Sequence, residues 1–401
     1  LNSKLITAYI NGIQGDSIDV NSVAAMVKHF PGSGPLDKGK DSHFPPGIQS
    51  YRGNNFEHHL KPFEAAFKAG VSSVMPFYSI PKGITSEDVG AGYNKDIITG
   101  LLRERYNFKG IICTDWAIIS DLEPLGIKFK PASAHGVEKL NTDERLVKII
   151  AAGVDMIGGE SLSLELAQLI KSGKIDESRI DESLRRIMDQ KFRLGLFDSP
   201  YLNSEALNSL NNPESISKGI EAQKKSLVLL KNVNNFLPLQ KRTKVYLHGF
   251  DSNPSSELEV TSLENAEVII AKVKTPNEGV ESEYIMEKLM GGGTLDFSNE
   301  VIEELRPLFN SKPTILVMNL QRSAVLTKIE DLSKSIIADF DVDEKIILEL
   351  IQGNFSPTGK LPLELPSSMK AVEDQLEDLP FDSKNPLYEF GHGLSYKNKK
   401  D

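Results

Sequence analysis

The chain has 401 residues, of which 39% are hydrophobic and 25% are charged, an ordinary composition for a globular protein. Its formal net charge is −10, and its basic run is confined to residues 397–400, which disfavours a nucleic-acid-binding surface. No apolar stretch reaches the length of a membrane span. The single cysteine, Cys113, excludes disulfides within the chain.

Strands and helices alternate along the first half of the chain. Apolar runs predict strands at residues 23–29, 71–76, 111–114 and 154–157. Helical spacing predicts helices at residues 4–12, 55–69, 94–106, 142–152, 162–171 and 181–196. In the last helix, Leu184, Ile187, Met188 and Phe192 form a stripe that we expect to be buried.

This alternation is typical of parallel β–α units. A complete (β/α)8 barrel needs about 250 residues and eight strands, so residues 1–200 are expected to supply only its last four units. The first half would then lie upstream or in another chain, such as a partner in a homo-oligomer. The chain begins at Leu1, inside a predicted helix, which indicates N-terminal truncation. The cellular location therefore stays open between periplasmic, extracellular and cytoplasmic.

A second α/β series follows a polar segment. Residues 201–225 are rich in Asn and Ser and are interpreted as a linker to a domain at residues 226–401. Strands are predicted at residues 226–230, 245–249, 268–271, 314–318 and 335–338, and helices at 299–309 and 343–352. The chain is thus expected to be an α/β protein with two domains.

The stretch at residues 110–116 ends an apolar run in an acid and the only tryptophan. Side chains at the carboxyl end of a barrel strand line the active site. Asp115 could attack a sugar there, and the Trp116 ring could stack on a pyranose face. The alternative is a structural Asp that caps the next helix.

Lys28 and His29 stand at a strand end, before a Pro-Gly turn. Together they could donate hydrogen bonds to sugar hydroxyls. Neighbouring side chains on a regular strand point to opposite faces, so a shared ligand requires irregular backbone, for example a cis bond between Phe30 and Pro31. The alternative is a histidine in the core and a lysine that reaches solvent.

Further polar residues follow the strands. Asp41 could orient His43, which would make the histidine a mobile general acid/base on a flexible loop. An Asx turn beside a surface histidine is the alternative. Tyr78 follows a strand and could hydrogen-bond a nucleophilic carboxylate, or simply pack.

A loop in the second domain carries further acids. Glu278, Glu281 and Glu283 could protonate a leaving group, or form a solvated acidic loop. The glycines at 291–293 lack the Lys of a phosphate-binding loop, and the histidines show no spacing typical of catalytic zinc.

Taken together, these motifs resemble glycoside hydrolase family 3. Residues 28–32 look like its sugar-binding K-H-F-x-G motif, and residues 110–116 look like its nucleophile strand. Further matches, in the same order, are residues 94–104, 225–232, 237–239, 359–362 and 390–396. The resemblance implies a partial TIM barrel followed by an α/β sandwich domain.

The resemblance also implies a retaining, exo-acting β-glycosidase that hydrolyses terminal non-reducing β-D-glucosyl residues, or the related xylosyl or N-acetylglucosaminyl ones, through a glycosyl-aspartate. Asp115 would be the nucleophile, Lys28 and His29 would bind the cleaved sugar, Tyr78 would support Asp115, and Trp116 would stack near the leaving group. No cofactor is implied; the partner would be an oligosaccharide or other β-glycoside.

Two points stay open in this resemblance. The acid/base is either His43 with Asp41, as in the family's N-acetylglucosaminidases, or a second-domain acid such as Glu278. The family also has a sugar-binding Asp and Arg on earlier barrel strands, which are absent here, so we expect the isolated chain to be inactive or poorly folded. A non-catalytic carbohydrate-binding fragment and a sugar phosphorylase are the alternatives.

Overall fold

The computed structural model describes residues 1–201, 204–210, 212–251, 257–290 and 292–396. Its strands are β1 (Met26–Phe30), β2 (Ile48–Gln49), β3 (Ser73–Pro76), β4 (Ile80–Pro81), β5 (Ile111–Ile112), β6 (Val228–Asn232), β7 (Lys244–His248), β8 (Glu259–Val260), β9 (Val268–Lys274), β10 (Thr314–Asn319) and β11 (Ser335–Asp339). Within these residues, no helix is long and apolar enough to cross a bilayer.

The α-helices are α1 (Asn2–Gln14), α2 (Phe56–Lys68), α3 (Thr142–Ala152), α4 (Ser163–Lys171), α5 (Glu177–Arg193), α6 (Pro213–Ser226), α7 (Ile285–Met290), α8 (Asn299–Ser311), α9 (Thr327–Glu330), α10 (Glu344–Ile351) and α11 (Met369–Glu373). A π-helix spans Asp96–Arg105. The chain divides into two compact units, the first comprising Leu1–Leu202, Gly279–Gly291 and Leu376–Pro380.

The first unit is built on a parallel sheet with the order β1-β3-β5. β3 and β5 are buried, whereas β1 alternates exposed and buried residues. Helices pack on the sheet to form one apolar core that includes Phe30, Leu60, Ile98, Ile112 and Leu146. Because the strands are parallel, their carboxyl ends lie at one edge of the sheet. The segments after β1, β3 and β5, which carry the predicted site residues, therefore meet at that edge.

The predicted strand at residues 154–157 is wrong in extent. Only Met156 pairs with Cys113, as an isolated parallel bridge, and the Thr114 N–H donates to the Met156 carbonyl at 3.0 Å. The chain turns away immediately at Gly158, whose N–H donates to Thr114 Oγ1 at 2.8 Å. The side-chain bond to Thr114 ends the ladder after one pair.

The predicted buried stripe of α5 is wrong for two of its four residues. Leu184 and Phe192 are 52% and 61% exposed, Ile187 and Met188 are half-buried, and the buried residue of this helix is Ser183. Ser183 and Arg186 of α5 both contact the carboxylate of Asp155 at 2.8 and 2.7 Å. A polar contact, rather than the apolar stripe, therefore sets which face of α5 turns inward.

Helix α3 begins and ends where the sequence predicts. Asn141 caps its first turn by accepting from the Glu144 N–H, and Glu144 bonds back to the Asn141 N–H. Gly153 ends the helix in a left-handed conformation with φ of 113°. These local signals explain why the bounds were readable from sequence.

The second unit contains a six-stranded sheet with the order β6-β11-β10-β9-β7-β8, parallel except for β6. Alternate residues of β9 face opposite sides. Ile269 and Ala271 join a core with helix α8, whereas Val268 and Ile270 join a core with helix α10. The unit is an α/β sandwich, and the α/β fold class is confirmed.

The predicted linker at residues 201–225 contains a helix. Residues 202, 203 and 211 lie outside the described residues, but Pro213–Ser226 form α6, capped by the Asn212 side chain, which accepts from the Ser215 N–H. The domain boundaries at 200 and 225 stay predictions.

Candidate active site

Asp115 lies just beyond β5, at the carboxyl edge of the first unit's sheet. Its side chain is 13% exposed, and Oδ2 lies 3.0 Å from Nε2 of His29, which is at the end of β1. The Tyr78 side chain, which follows β3, also hydrogen-bonds the Asp115 carboxylate. The ends of the adjacent strands β1, β3 and β5 thus meet at the Asp115 carboxylate.

These partners decide the charge of Asp115. Burial by itself raises the pKa of the carboxyl group, but the contact and charge of His29, the Tyr78 hydrogen bond and the charge of His43 outweigh it. The pKa of Asp115 is consequently below its ordinary value. A carboxylate that is ionised, largely buried and still reachable can act as a nucleophile.

Lys28 and His29 sit where β1 loses its regular register. The pairing with β3 shifts between Lys28 and Phe30, and the Lys28–His29 and Phe30–Pro31 peptides are both cis, the second as the sequence predicts. The Lys28 side chain is exposed, and no ion pair joins it to any described residue. The irregular strand end thus carries an exposed cation at the residue before His29.

Asp41 and His43 form a pair on the loop after β1. Oδ1 of Asp41 lies 2.5 Å from Nδ1 of His43 and accepts from the His43 N–H at 2.8 Å. Burial raises the pKa of Asp41, but its bonds to His43 and the charge of that ring bring it below the ordinary value. The ionised Asp41 therefore orients the ring through Nδ1 and leaves Nε2 for proton transfer.

The loop that carries His43 makes several contacts with its surroundings. Ser42 is fully buried, its carbonyl lies 2.8 Å from Nε2 of His135, and its hydroxyl meets that of Ser79. Ser133 Oγ donates to the His43 carbonyl at 3.0 Å. Gly47 is required nearby, because a Cβ there would lie 2.1 Å from the His135 ring. The loop is thus contacted from both sides.

Tyr78 is the aromatic centre of the site. Its hydroxyl donates to the Trp116 carbonyl, and the edge of the His43 ring meets it with centroids 5.1 Å apart. Burial, together with the charge of Asp115, raises the pKa of Tyr78 well above its ordinary value. The hydroxyl therefore stays protonated, and the Trp116 carbonyl and the Asp115 carboxylate share its one proton.

Trp116 presents an exposed ring beside Asp115. The side chain is 46% exposed and rests on Gly158 and Gly159, where an added Cβ would lie 2.6 and 2.0 Å from indole atoms. Gly159 also has a φ of 69°, which favours glycine. The two glycines form a floor that holds the indole flat while its other face stays open.

The sequence predictions missed two charged residues that hold this site. Glu160 accepts hydrogen bonds from the N–H groups of Ile118, Ile119 and Ser120 at 2.8–3.1 Å. Lys130 is buried and contacts the carbonyls of Trp116 and Ala117 in the adjoining part of the chain. An acid after the fourth strand segment could have signalled Glu160, but nothing local distinguishes Lys130 from an exposed lysine such as Lys128.

The acids of the second-domain loop divide between the two units. Glu278 belongs to the second unit, where its backbone pairs with Gly292 and its carboxylate lies over Gly293. Glu283 belongs to the first unit and pairs with Lys128 at 2.6 Å. Glu281 is exposed. No group of metal-ligating side chains occurs among the described residues.

The first unit thus belongs to the α/β class and places a carboxylate just beyond the carboxyl end of a parallel strand. Residues 1–190 match the N-terminal domain of glycosyl hydrolase family 3, and residues 252–396 match the C-terminal domain of that family. The chain belongs to glycosyl hydrolase family 3, and the resemblance of its motifs to that family is confirmed.

Similar proteins support the assignment. The chain is 42% identical to the probable beta-glucosidase C of Aspergillus oryzae, over 99% of this chain and 63% of that protein. It is 37% identical to a periplasmic beta-glucosidase/beta-xylosidase of Dickeya chrysanthemi, over 99% of this chain and 64% of the relative. The chain thus spans less than two thirds of the length of these relatives.

The fold is also found in solved structures. The beta-glucosidase of Listeria innocua in complex with isofagomine superposes with a TM-score of 0.76 at 22% identity, covering 98% of this chain and 62% of that one. At this identity the likeness concerns the fold.

Proposed function

We propose that this protein is a retaining, exo-acting β-glycosidase in which Asp115 forms a covalent intermediate with a terminal β-D-glucosyl residue. The observation that carries the proposal is the 3.0 Å contact of Asp115 with His29, which together with Tyr78 keeps a largely buried carboxylate ionised. A nucleophile in such a mechanism must stay ionised while its partner carries a proton.

In the first step, a carboxylate oxygen of Asp115 attacks the anomeric carbon as the bond to the leaving oxygen breaks. His43 is proposed to give the leaving oxygen a proton from Nε2, because Nδ1 faces Asp41 at 2.5 Å. The ionised Asp41 compensates the positive charge that the imidazolium carries before it gives up this proton.

In the second step, His43 is proposed to act as the general base. Neutral after the first step, its Nε2 takes a proton from water, and the resulting hydroxide equivalent attacks the anomeric carbon. The bond to Asp115 breaks and its carboxylate returns. The anchored loop around Ser42 and Ser133 suits this double role because it keeps the ring in one place.

Lys28, His29 and Trp116 are proposed to bind the substrate. Lys28 and His29 offer donors to the hydroxyls of the cleaved sugar, and the open face of Trp116 can stack on the leaving sugar. The names of the relatives include beta-glucosidase and beta-xylosidase, so glucosides are the first substrates to test and xylosides the second.

Covalent trapping tests the nucleophile. A 2-deoxy-2-fluoro-β-glucoside with a dinitrophenyl leaving group is incubated with the 401-residue chain, and with a fusion that supplies the unmatched part of the Aspergillus oryzae relative. Peptide mass spectrometry is expected to find one fluoroglucosyl group on Asp115 in at least one form, and none after Asp115→Asn. Labelling of a residue other than Asp115 contradicts the proposal, and so does the absence of labelling in both protein forms.

Leaving-group dependence tests the acid/base. His43→Ala is expected to slow cleavage of methyl β-glucoside by roughly 10²- to 10⁴-fold, and of the dinitrophenyl glucoside far less, with azide restoring the rate. Glu278→Gln is the matched comparison. If only the Glu278 variant shows this pattern, His43 is not the acid/base and Glu278 takes its place.

Two outcomes would point to the alternative functions. Sugar binding without any adduct or turnover, measured by calorimetry with glucose, would indicate a carbohydrate-binding fragment. Phosphate-dependent release of glucose 1-phosphate would indicate a phosphorylase.

A further inference from the structure

Lys130 is a buried lysine that contacts the backbone just after the proposed nucleophile, Asp115. The residue is only 2% exposed, and its Nζ lies 3.2–3.4 Å from the carbonyls of Trp116, Ala117 and Pro131. It donates to Ser133 Oγ at 2.7 Å. Among the described residues, no carboxylate forms an ion pair with it.

The ammonium group also lies over the ring of Tyr78, 4.2 Å from the centroid. Tyr78 in turn hydrogen-bonds the Asp115 carboxylate and the Trp116 carbonyl. Lys130 therefore contacts both the backbone after the nucleophile and the phenol that holds the nucleophile.

Two side chains of opposite charge hold the segment from Trp116 to Ser120, one through its carbonyl groups and the other through its N–H groups. Lys130 donates to the carbonyls of Trp116 and Ala117. Glu160 accepts from the N–H groups of Ile118, Ile119 and Ser120. Ala117 has a φ of 49°, a left-handed conformation that alanine rarely adopts without such restraint.

A buried cation without a carboxylate partner is costly, and a structural role could be filled by an apolar side chain of similar length. Burial lowers the pKa of Lys130 to about 8, even though the surrounding carboxylates act in the opposite direction. The charge and donors of Lys130 are used, because its Nζ meets four oxygen atoms and the face of the Tyr78 ring.

We propose that Lys130 is a positioning residue that sets the orientation of Asp115, by holding the Trp116 and Ala117 carbonyls and the Tyr78 ring behind it. Through Ser133, which donates to the His43 carbonyl, the same ammonium ties the nucleophile segment to the His43 loop. The kinetic part of the inference rests on the proposed function; the structural part does not.

The only tryptophan of the chain, Trp116, makes the inference measurable without turnover. Three variants are compared: Lys130→Met removes the charge and the donors at similar length, Lys130→Arg keeps the charge, and Lys128→Met alters an exposed lysine two positions earlier that pairs with Glu283. Circular dichroism establishes that each variant is folded.

Lys130→Met is expected to red-shift the Trp116 emission and to increase its quenching by acrylamide, whereas Lys128→Met leaves both unchanged and Lys130→Arg is intermediate. Unchanged emission and quenching in a folded Lys130→Met protein overturns the proposal. In whichever protein form shows turnover, kcat is expected to fall by roughly 10²-fold with little change in KM, because small displacements of a reacting group have effects of that size.

A pH titration of the unmutated protein keeps the test decisive if Lys130→Met does not fold. The titratable groups that face Lys130 are Asp41, Asp115, Asp121, Glu160, His43, His135 and Tyr78. Trp116 emission is expected to change with a midpoint near pH 8, and Lys130→Arg is expected to remove that transition. A transition that persists in Lys130→Arg, or no transition at all, overturns the proposal.

The two proposals fail separately. An adduct on Asp115 with no response of Trp116 to Lys130 contradicts the positioning role alone. A Trp116 response without any adduct contradicts the proposed function, while the hold of Lys130 on the segment stands.

Discussion

Nε2 of His29 lies 3.0 Å from Oδ2 of Asp115, although His29 lies near the end of β1 and Asp115 follows β5, and β3 separates these strands in the sheet. The contact is possible because all three strands are parallel and end at the same edge. It joins the two motifs that the sequence shows far apart, and it makes His29 a partner of the carboxylate as well as a candidate ligand for the sugar.

His29→Ala is expected to raise the pKa of Asp115, since the contact and charge of His29 lower it while burial raises it. Activity needs ionised Asp115, so on acidification the variant should lose activity at a higher pH than the unmutated protein does. The acid limb of kcat/KM against pH is the measurement, and kcat/KM at neutral pH should fall roughly 10- to 150-fold, the range for loss of a polar contact to a charged group. His58→Ala, on helix α2, should leave the limb in place; a shift there too would remove the assignment to His29.

The buried Lys130 predicts how stability depends on alkaline pH. Its pKa is lowered by burial to about 8, whereas a lysine in the unfolded chain titrates near ~10.4. Between these values the unfolded state binds more protons, so the free energy of unfolding should rise with pH over that window. Urea denaturation at several pH values checks this, and Lys130→Met should abolish the rise. A rise of the same size in that variant would mean that another group causes it.

Gly159→Ala tests the glycine floor under Trp116. The added Cβ would lie 2.0 Å from the indole, and the φ of 69° disfavours alanine, so the ring must move. We expect a loss of about 1–3 kcal/mol in stability and increased acrylamide quenching of Trp116. Gly100→Ala, where a Cβ meets no atom within 4 Å, is the control. Normal Trp116 quenching in Gly159→Ala would show that the floor does not hold the ring.

Asp155 is expected to be a principal stabilising residue of the first unit. Its carboxylate is buried and bonds Arg103 at 2.5 Å, Arg186 at 2.7 Å and the Ile112 N–H at 2.9 Å. Asp155→Asn should reduce the free energy of unfolding by about 3–5 kcal/mol, because two half-buried arginines lose their buried counter-charge. Asp189→Asn breaks an exposed pair with Arg193 and should cost under about 1 kcal/mol. Equal effects of the two changes in urea denaturation would contradict this ranking.

The sequence was informative wherever local pattern suffices. The apolar strands, the cap of α3 at Asn141 and Gly153, and the strand that leads to Asp115 are encoded in neighbouring residues. The ordered motifs also led to the family, since each keeps its residue types together. The roles given to Asp115, Lys28, His29, Tyr78, Trp116, Asp41, His43 and Glu278 remain predictions for the experiments above.

Only the tertiary structure decided which charges are buried and which apolar side chains are not. Lys128 and Lys130 look alike in sequence, yet one pairs with Glu283 at the surface and the other lies behind Asp115. Leu184 and Phe192 have helical spacing but are exposed, because the face of α5 that turns inward is the one that bonds Asp155, a residue from a distant segment. Burial and ionisation depend on partners far away in the chain, and periodicity within one helix or strand carries no record of them.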